Sequence, residues 1–186
     1  MIRLQHHFKH AVATGLVIVS LSGSALAQEV DIEALLSQLA DPTTENWQQV
    51  ERQLRTEWSR SGSVSMDYLL QRGQKALDDE DFDTALEHLT ALTDHAPGFA
   101  AGWNARATAL FRKELYGPAL EDIGKALALN PRHFEAMTGL AVILQSVGME
   151  KEALEAWYLV EKVHPHRDEM KEAIDALEAR VGGASL

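Results

Sequence analysis

Three prolines, Pro97, Pro131 and Pro165, stand 34 residues apart, and the same step relates Ala85 to Ala119 and Ala153, and Gly73 to Ala107 and Ala141. A pattern held in phase over three periods dictates a row of equivalent units. Units this short cannot bury an apolar face alone, so each must cover its neighbour. Within a period the apolar residues keep helical spacing: Trp103, Ala107, Leu110 and Phe111 form one stripe, and Ala119, Leu120, Ile123, Ala126 and Leu127 the next. Asp81-Phe82, Leu115-Tyr116 and Met149-Glu150 mark the turns between paired helices. The recurring Gly and Ala positions are where helices approach closely, and a bulky side chain there would overpack by about 1–3 kcal/mol. Each proline stops a second helix, because the residue before it is steered out of the α region.

Counted from Met66, the units are 66–99, 100–133 and 134–167. In this phase the chain resembles the tetratricopeptide repeat (TPR) family. Its pattern asks for a large or aromatic residue fourth, Gly or Ala eighth, Ala twentieth, a large residue twenty-fourth, Ala twenty-seventh and Pro thirty-second. The second unit supplies Trp103, Ala107, Ala119, Ile123, Ala126 and Pro131, and the run LYGPALEDIGKALALNP is close to the family's second helix. The first supplies Leu69, Gly73, Ala85, Leu89 and Pro97, with Leu92 at the twenty-seventh place; the third supplies Met137, Ala141, Ala153, Trp157 and Pro165, with Val160 there. The resemblance implies an all-α fold, a right-handed solenoid of three helix-turn-helix repeats. From Asp168 to Arg180, Met170, Ala173, Ile174 and Leu177 share one face, so 168–186 reads as a capping helix and tail, with Asp168 as N-cap and Gly182 and Gly183 at its end.

Residues 28–65 do not continue the register. Ile32, Leu35, Leu36 and Leu39 form a short stripe, Asp41-Pro42 breaks it, and Thr43 or Thr44 is placed to cap a second helix bearing Trp47, Val50, Leu54 and Trp58. The stretch 59–63 reads as a turn. These helices are expected to form an extension packed on the first repeat, a mobile arm being the alternative. Ahead of them, Arg3 and Lys9 precede the apolar run Ala11 to Leu21, and Ala25-Leu26-Ala27 offers small residues for a peptidase. Residues 1–27 thus read as a signal peptide, with export, to the periplasm in a bacterium, as the expectation. The run is too short to span a bilayer, so no stable membrane anchor is expected after cleavage.

The whole chain of 186 residues has a formal charge of -11 and no Cys. Loss of Arg3 and Lys9 with the leader would leave 15 Lys+Arg against 28 Asp+Glu, a charge of -13. Nucleic acid is thereby excluded as a partner, since its phosphates need a basic stripe. The absence of Cys excludes disulfides and thiolate sites. Asp79, Asp81 and Asp83 imitate the start of a calcium loop, but Thr84 and Thr90 stand where that loop needs Gly and Glu, so they read as a solvated turn. His95, His133, His164 and His166 lie near repeat ends. Neighbouring turns sit about 8–10 Å apart if they follow helix packing, and two imidazoles on one metal must come within about 4 Å. They read as surface residues beside helix C-termini, and no metal or cofactor is expected. No nucleophile elbow, zinc-protease motif or phosphate loop occurs, which argues against an enzyme. Trp103 and Trp157 hold repeat places that face neighbouring helices and read as core; Trp47 and Trp58 fit core or contact.

In the resembled family, ligands lie in the concave groove lined by first-helix residues. Transferred by place, the peptide-binding groove is Leu70, Gln74, Leu77, Asn104, Thr108, Phe111, Arg112, Thr138, Val142 and Gln145. Arg112, Arg132, His133, His166 and Arg167 would add a basic patch. Members that grip the C-terminal carboxylate of chaperones use Lys, Asn, Asn, Lys and Arg; here those places hold Leu70, Gln74, Ala105, Glu135 and Gly139, so that ligand is not supported. The expectation is a non-catalytic module that binds a protein or peptide, as an exported scaffold or assembly factor. The alternatives are a metal-carrying or enzyme-accessory protein using the repeat-end histidines, and a self-associating structural protein.

Overall fold

The computed structural model describes residues 30–183, and the expected signal peptide lies outside them. Among the described residues there are nine helices and no strand: α1 (Ile32–Ala40), α2 (Trp47–Trp58), α3 (Val64–Asp78), α4 (Phe82–His95), α5 (Ala100–Arg112), α6 (Tyr116–Leu129), α7 (Phe134–Ser146), α8 (Glu150–Val163) and α9 (Asp168–Gly183). None of the described helices is long and apolar enough to cross a membrane. Helices α3 to α8 are the three repeats of a right-handed α-solenoid, and α9 closes its end.

Each repeat reverses direction at one left-handed residue. Glu80, Glu114 and Gly148 have φ of 59°, 60° and 79°, at the same place in each repeat. The N–H of the next residue then donates back across the turn, from Asp81 to the Ala76 carbonyl at 2.8 Å, Leu115 to Leu110 at 2.9 Å and Met149 to Leu144 at 2.9 Å. These bonds satisfy carbonyls at the end of the first helix. Close approach explains the small residues: a Cβ on Gly73 would lie 2.4 Å from Leu89 Cγ, while Ala85, Ala119, Ala141 and Ala153 are fully buried.

A polar link crosses the middle of the stack. Arg106 donates through Nε and Nη2 to both carboxylate oxygens of Asp122, at 2.6 and 2.9 Å, and through Nη1 to the Thr93 hydroxyl. Asp122 is 2% exposed. Trp103 is half-buried beside it, under Arg106 and Lys125, and its indole N–H donates to the Pro97 carbonyl at 2.8 Å. Trp157 is buried in the third-repeat cluster, where Met170, Ile174 and Leu177 of α9 cover Ala153, Ala156 and Val160. Asp168 is the first residue inside α9, not its cap, and the helix runs through Gly182 and Gly183.

The extension departs from expectation in where it docks. The apolar faces of α1 and α2 meet as anticipated, Leu35, Leu36 and Leu39 against Val50 and Leu54. That cluster is completed by Phe134 and Val163, at the third repeat, and not by the first repeat. The physical reason is the residue that opens each unit. Phe134 stands where the earlier repeats have Met66 and Ala100, and its ring offers apolar cover that Ala100 cannot. Polar contacts fix the same address: Arg132 pairs with Glu33, and His166 Nε2 lies 3.0 Å from the Leu39 carbonyl. The residue opening α2 also differs. Asn46 is the N-cap, because Thr43 is bound to Asp41 and the Thr44 hydroxyl donates to the Gln38 carbonyl, closing the α1 end instead.

Candidate peptide-binding groove

Helix α2 places Trp47, Glu51, Arg55 and Trp58 at spacings that bring them to one side, facing the turns that open α7 and α9. Trp58 stacks on His133 at 4.8 Å and lies 5.2 Å from the Phe134 ring. Trp47 stacks on His166 at 5.4 Å with the planes 5° apart, and meets His164 edge-on at 5.5 Å. The expectation of surface histidines is therefore overturned for two of the four. His133 and His164 are 1% and 0% exposed, covered by the extension whose docking place no periodicity encodes. The His164 and His166 rings are 5.8 Å apart.

Charge accompanies the rings. Glu51 Oε1 accepts from Arg167 at 2.7 Å and pairs with Arg55 at 2.8 Å, while its Oε2 lies 3.3 Å from His164 Nε2. Burial pushes the Glu51 carboxyl up, but Arg167, Arg55 and His164 outweigh it and hold it below the ordinary carboxylate range. Burial raises Glu135, against the pull of Arg55 and Arg167. Burial pushes His133 down from 6.5 to about 4, and lowers His164 despite the carboxylate beside it. Both are neutral at physiological pH. His133 Nδ1 accepts from the Ala136 N–H as a helix cap, so its proton is on Nε2, which has no partner.

With α2 as a wall, the concave face becomes two clefts. The larger, about 590 Å³, lies among Trp47 and Glu51 of α2, Thr138 and Val142 of α7, Trp157 of α8 and the start of α9. The smaller, about 250 Å³, lies between Arg55 and Trp58 on one side and Gln74, Leu77, Asn104 and Thr108 on the other, with His133 and Glu135 at its end. Six of the ten transferred groove residues thus come together on the clefts. The other four do not line them. Leu70 is 2% exposed in the first-repeat core, Phe111 packs in the second-repeat cluster beside the Tyr116 ring, Gln145 lies beyond both, and Arg112 stands over Phe82, paired with Glu80.

The expected basic patch is likewise absent from the folded surface. Arg112 is at the far end of α5 from the turns bearing Arg132 and Arg167, and these two are matched by Glu33 and Glu51 of the extension. The three loop-like acids are also spoken for. Asp79 pairs with Lys75, Asp81 caps α4 through the Thr84 N–H, and Asp83 pairs with Lys113. Among the described residues no cluster of three metal-ligating side chains occurs. Sequence reasoning missed Glu51, Arg55, His166, Arg167 and Met170 as cleft walls. The stripe on α2 was visible, but not the surface it covers.

No family model matches the chain. A TPR repeat-containing protein of Rhizobium etli is 30% identical over 170 residues, covering 90% of this chain and 82% of the relative. The chain belongs to the TPR repeat-containing proteins. A match of that extent must include most of residues 1–65, so the likeness is not confined to the repeats. Among solved structures, the Sgt2 TPR domain of Aspergillus fumigatus superposes with a TM-score of 0.62 at 21% identity, over 66% of this chain and 83% of its own. The first TPR of Spaghetti, bound to an HSP90 peptide, gives 0.62 at 22%, over 64% and 95%. MamA gives 0.59 at 16% but reaches 81% of this chain and 83% of its own. These likenesses establish the TPR fold; the α2 wall comes from this chain's own residues.

Proposed function

We propose that this TPR protein is a non-catalytic module that holds a segment of another protein between α2 and the first helices of its repeats, serving as an exported scaffold or assembly factor, periplasmic in a bacterium. The observation that carries the reading is the smaller cleft, where Gln74, Leu77, Asn104 and Thr108, drawn from two repeats, face Arg55 and Trp58 across open space. Amide side chains on one wall suit the main-chain groups of an extended segment, and Leu77 and Trp58 suit its apolar side chains. Peptide capture by the Spaghetti TPR supports the class of partner. The residues here differ from those that grip a chaperone carboxylate, so the partner is another. Export rests on the charge, apolar run and Ala-Leu-Ala of residues 1–27.

Selection of a displayed peptide library on the full chain tests the binding. Enriched peptides should lose affinity at least roughly tenfold for Leu77→Glu and Asn104→Ala, each of which removes a cleft wall. Enrichment of nothing, or of peptides that bind both variants unchanged, would refute the groove. Cell fractionation with N-terminal sequencing tests export, and a cytoplasmic protein that retains Met1 would refute that part.

A further inference from the structure

The larger cleft differs from the smaller in charge and in its aromatic walls. Trp47 and Trp157 line it together with Val142 and Met170. Trp157 is 6% exposed, and its indole N–H has no acceptor within the protein. The charged residues of the lining are Glu51, Arg167, Asp168 and Glu169, with His166 among them. Arg167 and Arg55 neutralise Glu51, and Lys171 stands 3.7 Å from Asp168, whose side chain is 90% exposed. Glu169 has no cationic partner among the described residues. The rim therefore carries an excess of negative charge, on a chain whose overall charge is -11.

We infer that this cleft receives a lysine or arginine side chain, flanked by apolar residues, from an extended segment of the partner protein. The inference rests on the protein-binding reading above and names the partner's chemistry at a second place in the same groove. A long cationic side chain matches each part of the site. Its methylene stem packs along Val142, Met170 and the indole faces, its charge meets Asp168 and Glu169 at the mouth with the added pull of an aromatic face, and a main-chain carbonyl beside it completes the Trp157 N–H. The field of an acidic protein draws in such a segment and repels an acidic one. A helix is about 10 Å across with its side chains, and α2 already occupies that place along the face, so the segment enters extended.

The test is calorimetric titration of the full chain with two synthetic peptides, one bearing a single arginine between leucines and the other a glutamate in its place. The arginine peptide is expected to bind about tenfold or more tightly at low salt, and the gap to narrow as salt screens the rim. Asp168→Asn combined with Glu169→Gln, both at exposed positions, should abolish the preference. Trp157→Phe keeps the ring and loses only the N–H, and should weaken both peptides several-fold. Equal or tighter binding of the glutamate peptide, or a preference that survives the double substitution, overturns the inference. If both peptides bind equally and Asn104→Ala weakens both, the groove reading stands and the cationic specificity falls. If neither binds, this inference falls, and the library selection above decides the groove reading independently.

Discussion

Acidification should loosen the contact between the extension and the third repeat, and His133 is the group through which to measure it. Its ring lies under Trp58, 1% exposed, and burial has pushed it from 6.5 to about 4. A folded value below the unfolded one means that the unfolded chain binds the proton more readily. The contribution is complete above the unfolded value of 6.5 and is lost as pH falls through it toward 4. A depression of this size corresponds to roughly 3 kcal/mol in all, of which about 2 kcal/mol would be gone near pH 5. His164, lowered by burial too, acts in the same direction. Glu135, 4.0 Å from His133 Nδ1 and raised by burial, acts in the opposite direction. The variant His133→Asn separates them, because Asn caps a helix as well as any residue and does not titrate here. Urea unfolding at about pH 7 and about pH 5, followed by tryptophan fluorescence, should show wild type losing about 2 kcal/mol more than His133→Asn over the same interval. An identical loss in the two proteins would refute the burial of a neutral His133 under Trp58.

Two further outcomes follow from the repeats. Asp122→Ala leaves the Arg106 guanidinium facing a site 2% exposed and should cost about 3–5 kcal/mol in chemical denaturation; a loss under about 1 kcal/mol would mean that water solvates Arg106 there. Glu114→Gly relieves a left-handed residue, φ 60°, and should be stabilising or neutral within about 1 kcal/mol, whereas Gly148→Ala at φ 79° should destabilise by about 1 kcal/mol. The opposite signs in thermal melts would refute the shared turn geometry.

Much of this protein was legible in its sequence because its contacts are local and repeat. Register alone placed the helix pairs, the turns at Asp81, Leu115 and Met149, the small residues of the close approaches and the cap bearing Met170, Ile174 and Leu177, since each is fixed by neighbours within one or two units. The same register found Gln74, Leu77, Asn104, Thr108, Thr138 and Val142 for the groove. It failed at Leu70 and Phe111, because an apolar residue at a groove place packs inward wherever a neighbouring helix offers cover. It failed at Arg112, because a repeat place gives a position along a helix and not the charge waiting beside it. The tertiary structure alone decided where the extension goes. The stripes of α1 and α2 state that a face must be buried, but a hydrophobic face carries no address. Phe134, a large ring at the place held by Ala100 one repeat earlier, supplies that address, with Glu33 and Glu51 finding their cations across about a hundred residues of chain. That docking, written in no period, turned exposed histidines into buried neutral ones and an open groove into two walled clefts.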